Sequence, residues 1–377
     1  MSLTRQQITD SASRKLNAAI PSLPSTKATI GLDGFVDEII AVVDKRSSLD
    51  KYDAVPTIAN FGAKITEAAG QSANYELVVK QMKLGGNGPI MGNALASFGL
   101  SVTYIGALGY PQIHPVFADF AANAKCITIG DAGHTDALEF ADGKLMLGKY
   151  TCMNDVTWET IVSRVGIDKL QQLVNESKLV GFVTWTMLPF LSQVWEKLRT
   201  EVFSKAPKAQ RTFFVDLADP EKRTHDDIRA ALDELTKFQG SANVILGLNL
   251  KESVEILEVL HLPVPKDPEA AIEETAKAIR AKMNIGCVVV HPRKGAAAAT
   301  ASESATFMGP FVQQPKISTG AGDHFNAGFA LGQVLGLDLV ECLCTGVATS
   351  GYYVRTANSP TGKQLADFIA ELPAPQA

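Results

Sequence analysis

Residues 318–335 read STGAGDHFNAGFALGQVL, and this stretch carries the strongest structural signal in the chain. Three consecutive small residues, Gly320, Ala321 and Gly322, precede an apolar-rich segment that is predicted to be a helix over 323–335. Small residues at a helix N-terminus let backbone N–H groups converge at the positive end of the helix dipole. The stretch therefore predicts an anion-binding turn that suits phosphate.

Asp323 lies in the first turn of this predicted helix, where a carboxylate would repel a bound anion. Its presence is explained if it accepts a proton from a hydroxyl group that attacks the bound phosphate. The alternative is that Asp323 caps the helix after a glycine turn. A dinucleotide-binding loop is a further alternative, but the Gly-x-Gly-x-x-Gly pattern that it needs is absent from this segment.

Outside this stretch, the chain alternates between apolar β-rich runs and amphipathic segments of helical period. Several runs are apolar throughout, which is typical of strands that are covered on both faces. The alternation predicts an open, mostly parallel sheet with helices on both sides, in which ligands bind beyond the carboxyl ends of the strands. The predicted strands are 28–32, 102–105, 179–184, 212–215, 243–246 and 286–291, and the predicted helices include 89–98, 188–204, 225–239, 268–282 and 339–354.

Two segments interrupt this alternation. Residues 35–43 alternate with a strand period directly after the first strand, and a hairpin is predicted around Asp142-Gly143. Strands without an intervening helix predict a small second sheet that lies over the main one as a lid. The predicted lid segments are 34–58 and 134–152, whereas residues 53–81 are predicted to be helical. No internal repeat or linker divides the chain, which predicts one domain over 1–377.

Polar residues follow several of the predicted strands. Asn249 and Glu252 have the spacing of a capping box, which is one interpretation of this pair. The other interpretation is that they hold hydrated Mg²⁺, which prefers oxygen ligands and keeps several waters. Asp216 and Asp219 follow another strand at the same edge of the sheet and have no assigned role.

Three short motifs add candidate ligand contacts, each with an ordinary turn as its alternative. The sequence GGNG at 85–88 opens a predicted helix, and adjacent glycines allow a ligand to approach the backbone closely. Asp33 and Asp37 follow the first strand, where carboxylates can accept hydrogen bonds from sugar hydroxyl groups. Lys294-Gly295 follows the last of the predicted core strands, where a glycine with a basic neighbour suits nucleotide phosphates.

Composition excludes several classes of protein. The formal net charge of -5 argues against the nucleic-acid backbone as the main partner. Five cysteines without a spacing framework indicate reduced thiols in a cytoplasmic protein. Residues 84–118 lack Asp, Glu, Lys and Arg, but glycines and prolines interrupt them, so they do not predict a membrane span. No secretory signal is visible at the N-terminus.

In their order along the chain, these motifs resemble those of the ribokinase-like carbohydrate kinase family, the PfkB family. The resemblance spans about residues 31–360, and Gly-Ala-Gly-Asp before a helix is its most specific part. It implies a three-layer αβα fold with a mostly parallel central sheet and a β-sheet lid, through which several family members form homodimers. It also implies an ATP- and Mg²⁺-dependent kinase that phosphorylates a hydroxyl group of a sugar or a sugar-like molecule.

The resemblance implies roles for single residues. Asp323 would deprotonate the substrate hydroxyl group, while the N–H groups of Gly320, Ala321 and Gly322 would stabilise charge on the transferred phosphoryl group. The other implied roles are sugar binding by Asp33, Asp37, Gly86 and Asn87, nucleotide binding by Asn249, Lys294 and Gly295, and Mg²⁺ binding by Asn249 and Glu252 through water.

The sequence departs from the family pattern at a few positions. Ile317 and Ser318 stand where Asp-Thr is common, which weighs against a monovalent-cation site. Ile90 stands where an Asn touches the sugar, and Val290 and Pro292 stand where Thr and Gly are common beside the nucleotide. Three alternatives stay open: a nucleoside kinase of the same fold, a non-catalytic sugar- or nucleotide-binding protein, and an NAD(P)-binding oxidoreductase.

Overall fold

A computed structural model describes residues 3–206 and 211–375 of the chain. Its strands are β1 (Lys27–Leu32), β2 (Phe35–Ser48), β3 (Lys51–Ala54), β4 (Leu77–Gly85), β5 (Ser101–Gly106), β6 (Lys125–Thr128), β7 (Gly133–Phe140), β8 (Gly143–Lys149), β9 (Leu179–Phe182), β10 (Thr212–Asp216), β11 (Asn243–Leu248), β12 (Cys287–Val290), β13 (Gly295–Ala299) and β14 (Ser304–Met308).

The helices lie between and after these strands. They are α1 (Arg5–Ala19), α2 (Ile58–Glu67), α3 (Asn87–Phe98), α4 (Ala118–Asn123), α5 (Trp158–Val165), α6 (Ile167–Glu176), α7 (Leu191–Lys197), α8 (His225–Phe238), α9 (Leu250–Val259), α10 (Ile272–Met283), α11 (Ala321–Val334), α12 (Leu339–Thr356) and α13 (Gly362–Ala370). A π-helical turn, Leu198–Val202, continues α7, and 3₁₀ turns cover Ile20–Ser25, Pro115–Phe117, Thr151–Asp155, Phe203–Lys205 and Pro220–Lys222.

Nine strands form the central sheet in the order β14-β13-β12-β11-β10-β9-β1-β5-β6. The seven strands from β12 to β6 in this order pair in parallel, and β13 and β14 add an antiparallel edge. The direction in which strands are added to the sheet changes at β1. The next central strand, β5, pairs with one side of β1, and β9 later pairs with the other side. Such a switch point opens a crevice at the carboxyl ends of the strands.

Alternating side chains of the central sheet pack against two separate layers of helices. On one face, residues such as Val180, Phe213 and Leu246 join a buried cluster with the helices from α5 to α10. On the other face, residues such as Leu179 and Phe214 join a cluster with α1, α3, α4 and α11 to α13. Both faces of the sheet are therefore buried, which explains why the sequences of its strands are continuously apolar.

A second, smaller sheet begins with β2, directly after β1. Its strands β3, β2, β7 and β8 pair in that order, and β4 pairs with the free side of β2 along Phe35 to Val42. One face of this sheet is covered by α2, where Phe61 packs with Ile40, Val42 and Leu138. We call this element the small sheet.

The α/β class, the mostly parallel central sheet and the separate small sheet confirm the predicted architecture. The prediction of a strand over 179–184 is too long, because β9 ends at Phe182 and Thr184 has a φ of 68°. Helix over the whole of 53–81 is wrong, since only α2 is helical there and β4 starts at Leu77. The small sheet therefore contains a strand that the two predicted lid segments omit.

None of the helices in the described part of the chain is both long enough and apolar enough to cross a lipid bilayer.

Candidate active site

A cleft of about 750 Å³ lies at the carboxyl ends of the central strands, between them and the start of α11. Its position follows from the sheet, because parallel strands that end together deliver their following loops to one edge. Eight of the residues with predicted roles line it: Asn87, Asn249, Glu252, Gly295, Gly320, Ala321, Gly322 and Asp323.

The predicted anion-binding turn forms the start of α11. Gly320 is the N-cap residue and has a φ of 88°, a conformation that glycine adopts without strain. The N–H group of Ala321 donates to the carbonyl oxygen of Ser318 at 3.2 Å. Within the described residues, the N–H groups of Gly320 and Gly322 donate to no backbone or side-chain oxygen. Two of the three predicted donors are therefore free for an anion in this state.

Asp323 lies at the third position of α11, and only 7% of its surface is exposed. One carboxylate oxygen accepts a hydrogen bond from Asn87 Nδ2 at 2.9 Å. Burial, together with the nearby charge of Asp216, raises the pKa of Asp323 well above 3.8. A carboxylate with a raised pKa is a stronger proton acceptor once it is ionised. The geometry thus brings a buried carboxylate, an amide donor and free N–H groups to one place.

Glu252 and Asn249 form the predicted capping box at the start of α9. Asn249 Oδ1 accepts from the Glu252 N–H group at 2.9 Å, and Glu252 Oε2 accepts from the Asn249 N–H group at 2.8 Å. The other oxygen of Glu252 accepts from the Asp219 N–H group at 3.0 Å. Burial, followed by the charge of Asp216, raises the pKa of Glu252 to about 8. Glu252 therefore ties α9 to the loop after β10 at the floor of the cleft.

Asp216 ends β10 and points toward α11. Its carboxylate accepts from Asn326 Nδ2 at 2.7 Å and from the Ala218 N–H group at 2.8 Å, and burial raises its pKa to about 6. Ala218 and Asp219 follow with φ values of 58° and 56°. Two successive residues with positive φ are costly, and such backbone is concentrated at functional sites.

Asp33, at the end of β1, is fully buried and does not line the cleft. Its carboxylate accepts from the Gly88 N–H group at 3.0 Å and from Thr184 Oγ1 at 3.1 Å, and burial raises its pKa to about 7. A side chain on Gly86, whose φ is 93°, would lie 2.6 Å from the same carboxylate. Asp33 thus fixes the turn that presents Asn87.

Asp37 lies on β2, opposite Lys83 of β4 and Thr135 of β7. It is 5% exposed, and burial raises its pKa, while the charges of Lys83 and Lys144 lower it. A Cβ atom on Gly85 would lie 2.4 Å from its carboxylate, so Asp37 packs directly over the turn before α3. This places Asp37 and Asn87 on either side of that turn.

The predicted nucleotide residues after β12 are split between two surfaces. Gly295 lines the cleft, but the side chain of Lys294 extends over the ring of Phe311 at 5.9 Å and borders a neighbouring groove. Arg293 is the basic residue of this loop that lines the cleft.

Sequence reasoning missed several residues that complete the site. Asn326 lies one helical turn after Asp323, a spacing that would have suggested a shared face. His291 follows β12 and Thr184 follows β9. Their positions after central strands could have identified them as candidate site residues. Nothing local pointed to Tyr104, whose hydroxyl group donates to the carbonyl oxygen of Asp33 at 2.7 Å.

The donor atoms suit one hydrated divalent cation better than a metal held by protein alone. In the described residues, no group of three or more His, Cys, Asp or Glu side chains is arranged to hold a metal ion. Asp216 is nevertheless close enough to Glu252 for its charge to raise the pKa of Glu252. Mg²⁺ usually keeps several waters and needs only one or two carboxylates plus phosphate oxygens.

The chain is similar to known proteins over almost its whole length. Residues 4–372 match the family model described as prokaryotic ketohexokinase. A ketohexokinase of Haloferax volcanii is 30% identical over 349 residues, which cover 91% of each chain.

Solved structures of low sequence identity share the same fold. A carbohydrate kinase from Agrobacterium tumefaciens superposes with a TM-score of 0.61 at 16% identity, over 93% of this chain and 98% of that one. Ribokinase from Thermotoga maritima gives a TM-score of 0.60 at 14% identity, over 92% and 99%. Arabidopsis thaliana ribokinase, in complex with ribose and ATP, gives 0.61 at 16% identity, over 92% and 98%. The fold is therefore ribokinase-like.

Proposed function

Because the chain belongs to the prokaryotic ketohexokinase family, and is therefore a carbohydrate kinase, we propose that it transfers the γ-phosphoryl group of MgATP to a hydroxyl group of a ketohexose. The acceptor rests on the match to that family and on the name of the Haloferax volcanii relative. The donor rests on the kinase family and on the cleft that leads to the turn at the start of α11.

One observation carries the proposed chemistry: Asp323 lies beside the N–H groups of Gly320 and Gly322, which donate to no other group in the described part of the chain, and all three residues line the same cleft. An acceptor hydroxyl group that donates to Asp323 would lie next to these N–H groups. Asp323 then takes the hydroxyl proton as the oxygen attacks phosphorus, and the N–H groups stabilise the charge on the transferred phosphoryl group. Asn87, bonded to Asp323 at 2.9 Å, orients the carboxylate.

The residues present fit a hydrated Mg²⁺ bound with the nucleotide. Glu252 and Asn249 would hold it through water, with Asp216 on the same side of the cleft. When bound, the ion would neutralise charge on the phosphate oxygens. Burial raises the pKa of Glu252 to about 8, so without the ion Glu252 holds a proton at neutral pH.

We also propose that the chain is one kinase domain in which the small sheet acts as a lid. Lys144 of β8 reaches across to the anion-binding turn, where its Nζ lies 3.4 Å from Thr319 Oγ1. Asp37 of β2 packs over the turn before α3. A sheet that contacts both sides of the sugar site can exclude water from the phosphoryl group.

The test is ADP release with MgATP and a panel of acceptors: D-fructose and other ketohexoses, aldohexoses, ribose and adenosine. We expect ketohexose-dependent release, and we expect Asp323→Asn to lower kcat by roughly 10²–10⁴-fold while leaving ATP binding largely intact. Asp226→Asn, which removes a charge from an exposed position on α8, is the matched control.

Release with adenosine in place of ketohexoses would overturn the acceptor and favour a nucleoside kinase. ATP binding without release for any acceptor would favour a non-catalytic binding protein. Wild-type turnover in Asp323→Asn would exclude Asp323 as the base.

A further inference from the structure

His324, the residue after the proposed base, is held between two partners at the end of the anion-binding turn. It is 2% exposed, its Nδ1 lies 2.7 Å from the carbonyl oxygen of Gly320, and its Nε2 lies 2.9 Å from Ser359 Oγ. A carbonyl oxygen can only accept, so Nδ1 carries the hydrogen and Nε2 accepts from the serine hydroxyl group. Burial lowers the pKa of His324 to about 4, which keeps the ring neutral in this arrangement.

Tyr353 of α12 holds the preceding peptide group. Its ring stacks on the ring of His324 with a centroid distance of 3.6 Å and an interplanar angle of 12°. Its hydroxyl group donates to the carbonyl oxygen of Thr319 at 3.0 Å. Two stacked side chains from different helices therefore bond to two successive carbonyl groups of the turn.

A peptide group is planar and trans, so its N–H bond points opposite to its C=O bond. The carbonyl group of Thr319 shares a peptide plane with the N–H group of Gly320, and the carbonyl group of Gly320 shares one with the N–H group of Ala321. A hydrogen bond that fixes either carbonyl oxygen therefore also fixes where the attached N–H group points. The N–H group of Gly320 is one of the two free donors of the turn, whereas the N–H group of Ala321 donates to the carbonyl oxygen of Ser318 and closes the turn.

We propose that Tyr353 and His324 are positioning residues: Tyr353 orients the free N–H group of Gly320 for phosphoryl transfer, and His324 holds the peptide group of Ala321 that closes the turn. This inference rests on the proposed kinase function. We call the side chains of His324 and Tyr353 the clamp. The turn needs the clamp because its own residues are small. Gly320 has a φ of 88° and no side chain, and an added Cβ would meet Tyr353 Oη and Ile90 Cδ1 at 3.3 Å each. Donors that are oriented before reaction stabilise developing charge without a reorganisation cost.

The chain offers variants that separate the two hydrogen bonds from packing. His324→Asn keeps an amide N–H group near the place of Nδ1, whereas His324→Gln places its amide near Nε2 and leaves the carbonyl oxygen of Gly320 without the side-chain donor. Tyr353→Phe keeps the stacked ring and removes only the hydroxyl group. Tyr352→Phe is the matched control, because Tyr352 is on the same helix and packs on Phe368, away from the turn.

We expect Tyr353→Phe and His324→Gln each to lower kcat by roughly 10-fold or more, with little change in the KM for sugar, since small misplacements of catalytic groups are costly. His324→Asn should recover most of the kcat that His324→Gln loses. Tyr352→Phe should leave kcat unchanged. Thermal unfolding of all four variants shows whether a loss of kcat follows a loss of folded protein.

A binding measurement tests the clamp without an acceptor. We expect Tyr353→Phe and His324→Gln to bind MgADP as the wild type does, but to bind MgADP with aluminium fluoride, a mimic of the transferred phosphoryl group, roughly 10-fold more weakly. Equal affinities for the mimic in wild type and both variants, or equal kcat losses in the asparagine and glutamine variants, would overturn the proposal. If no ketohexose supports turnover by the wild type, the proposed function fails, and the fluoride comparison still decides whether the clamp exists.

Discussion

Glu252 illustrates how one side chain can satisfy two interpretations of a motif. The structure forms the capping box with Asn249, and it adds a bond to the Asp219 N–H group that no sequence pattern suggested. Each carboxylate oxygen has a second lone pair that can still accept from a metal-bound water. A buried carboxylate with a raised pKa that also borders the cleft is more than a cap requires. Mg²⁺ binding at this residue remains a prediction.

Glu252→Gln should affect stability and metal use separately. The amide offers only one acceptor oxygen, so one buried N–H group loses its partner, and we expect the free energy of unfolding to fall by about 1–3 kcal/mol. We also expect the Mg²⁺ concentration for half-maximal activity to rise by roughly 10-fold, as outer-shell changes do. Urea unfolding and Mg²⁺ titration of the folded variant measure the two effects.

Glu258→Gln provides the control, because it makes the same change on an exposed face of α9. A Glu252→Gln variant that is destabilised but has an unchanged Mg²⁺ requirement would leave Glu252 as a cap alone.

The site residues that could be predicted are those that a pattern of neighbouring residues in the sequence identifies. The turn at 320–322, Asp323 and the capping box each depend on a few adjacent residues and a helix start. The contacts of Asn326 with Asp216, and of Tyr104 and Thr184 with Asp33, depend instead on how helices pack over strands. Such contacts follow from the assembled sheet and have no counterpart in neighbouring sequence.

Among the elements, the small sheet is where prediction and structure differ most. Its hairpin β7–β8 was identified from Asp142-Gly143, but β4 was not, because Leu77 to Gly85 lacks the buried alternation of a core strand. Its side chains are mostly exposed, and among the described strands it pairs with β2 alone. Assembly of a homodimer through this sheet stays a prediction.

The contact of Lys144 with Thr319 allows the proposed lid role of the small sheet to be tested by kinetics. Lys144→Met keeps the apolar part of the side chain and removes the ammonium group that reaches Thr319. We expect the KM for sugar to rise by roughly 3- to 10-fold, which corresponds to one modest hydrogen bond. We also expect ATP hydrolysis without sugar to become a larger share of turnover, because a weaker lid excludes water less well.

Lys149→Met is the matched variant for Lys144→Met. Lys149 is on the same strand, but its side chain is exposed and pairs with Asp136. Equal changes in KM for the two variants would mean that general charge, and not the contact with Thr319, explains the effect.

For the whole molecule, the order of strands in the central sheet decides where the site lies. Continuous apolar runs predicted the buried strands well, because strands covered on both faces need such residues. The antiparallel edge formed by β13 and β14 was not predicted, since Gly295–Ala299 consists of one glycine and four alanines. Small residues are compatible with strand, helix or turn, and only packing against α10 and α12 selects the strand here.

Buried titratable groups give the whole protein a defined pH dependence of stability. Asp33 and Glu252, with pKa values of about 7 and 8, keep protons that the unfolded chain releases at lower pH. Raising the pH through this range therefore favours unfolding. Burial lowers the pKa of His291 and His324 to about 4, so these two residues act in the opposite direction below pH 6.5.

We expect Asp33 and Glu252 to lower the free energy of unfolding by about 2 kcal/mol between pH 6.5 and 8, at roughly 1.4 kcal/mol per pH unit for each titrating group. Asp323, whose pKa burial also raises, should add to this fall. Urea unfolding at a series of pH values measures this. Mg²⁺ should reduce the fall, since it favours the ionised carboxylates that bind it. A free energy of unfolding that rises from pH 6.5 to 8 would contradict these pKa shifts.

The position of β1 has a consequence for how the chain is made. Ala28 of β1 pairs with Val102 of β5 and with Leu179 of β9, so the strand at the switch point leaves the ribosome long before either neighbour. Pairings between distant segments form late and slowly. Until residues near 179 emerge, each nascent chain carries an apolar strand with at least one open edge, the kind of surface that aggregates or recruits chaperones. Yield in the cell is therefore expected to depend on how the chain is protected during synthesis.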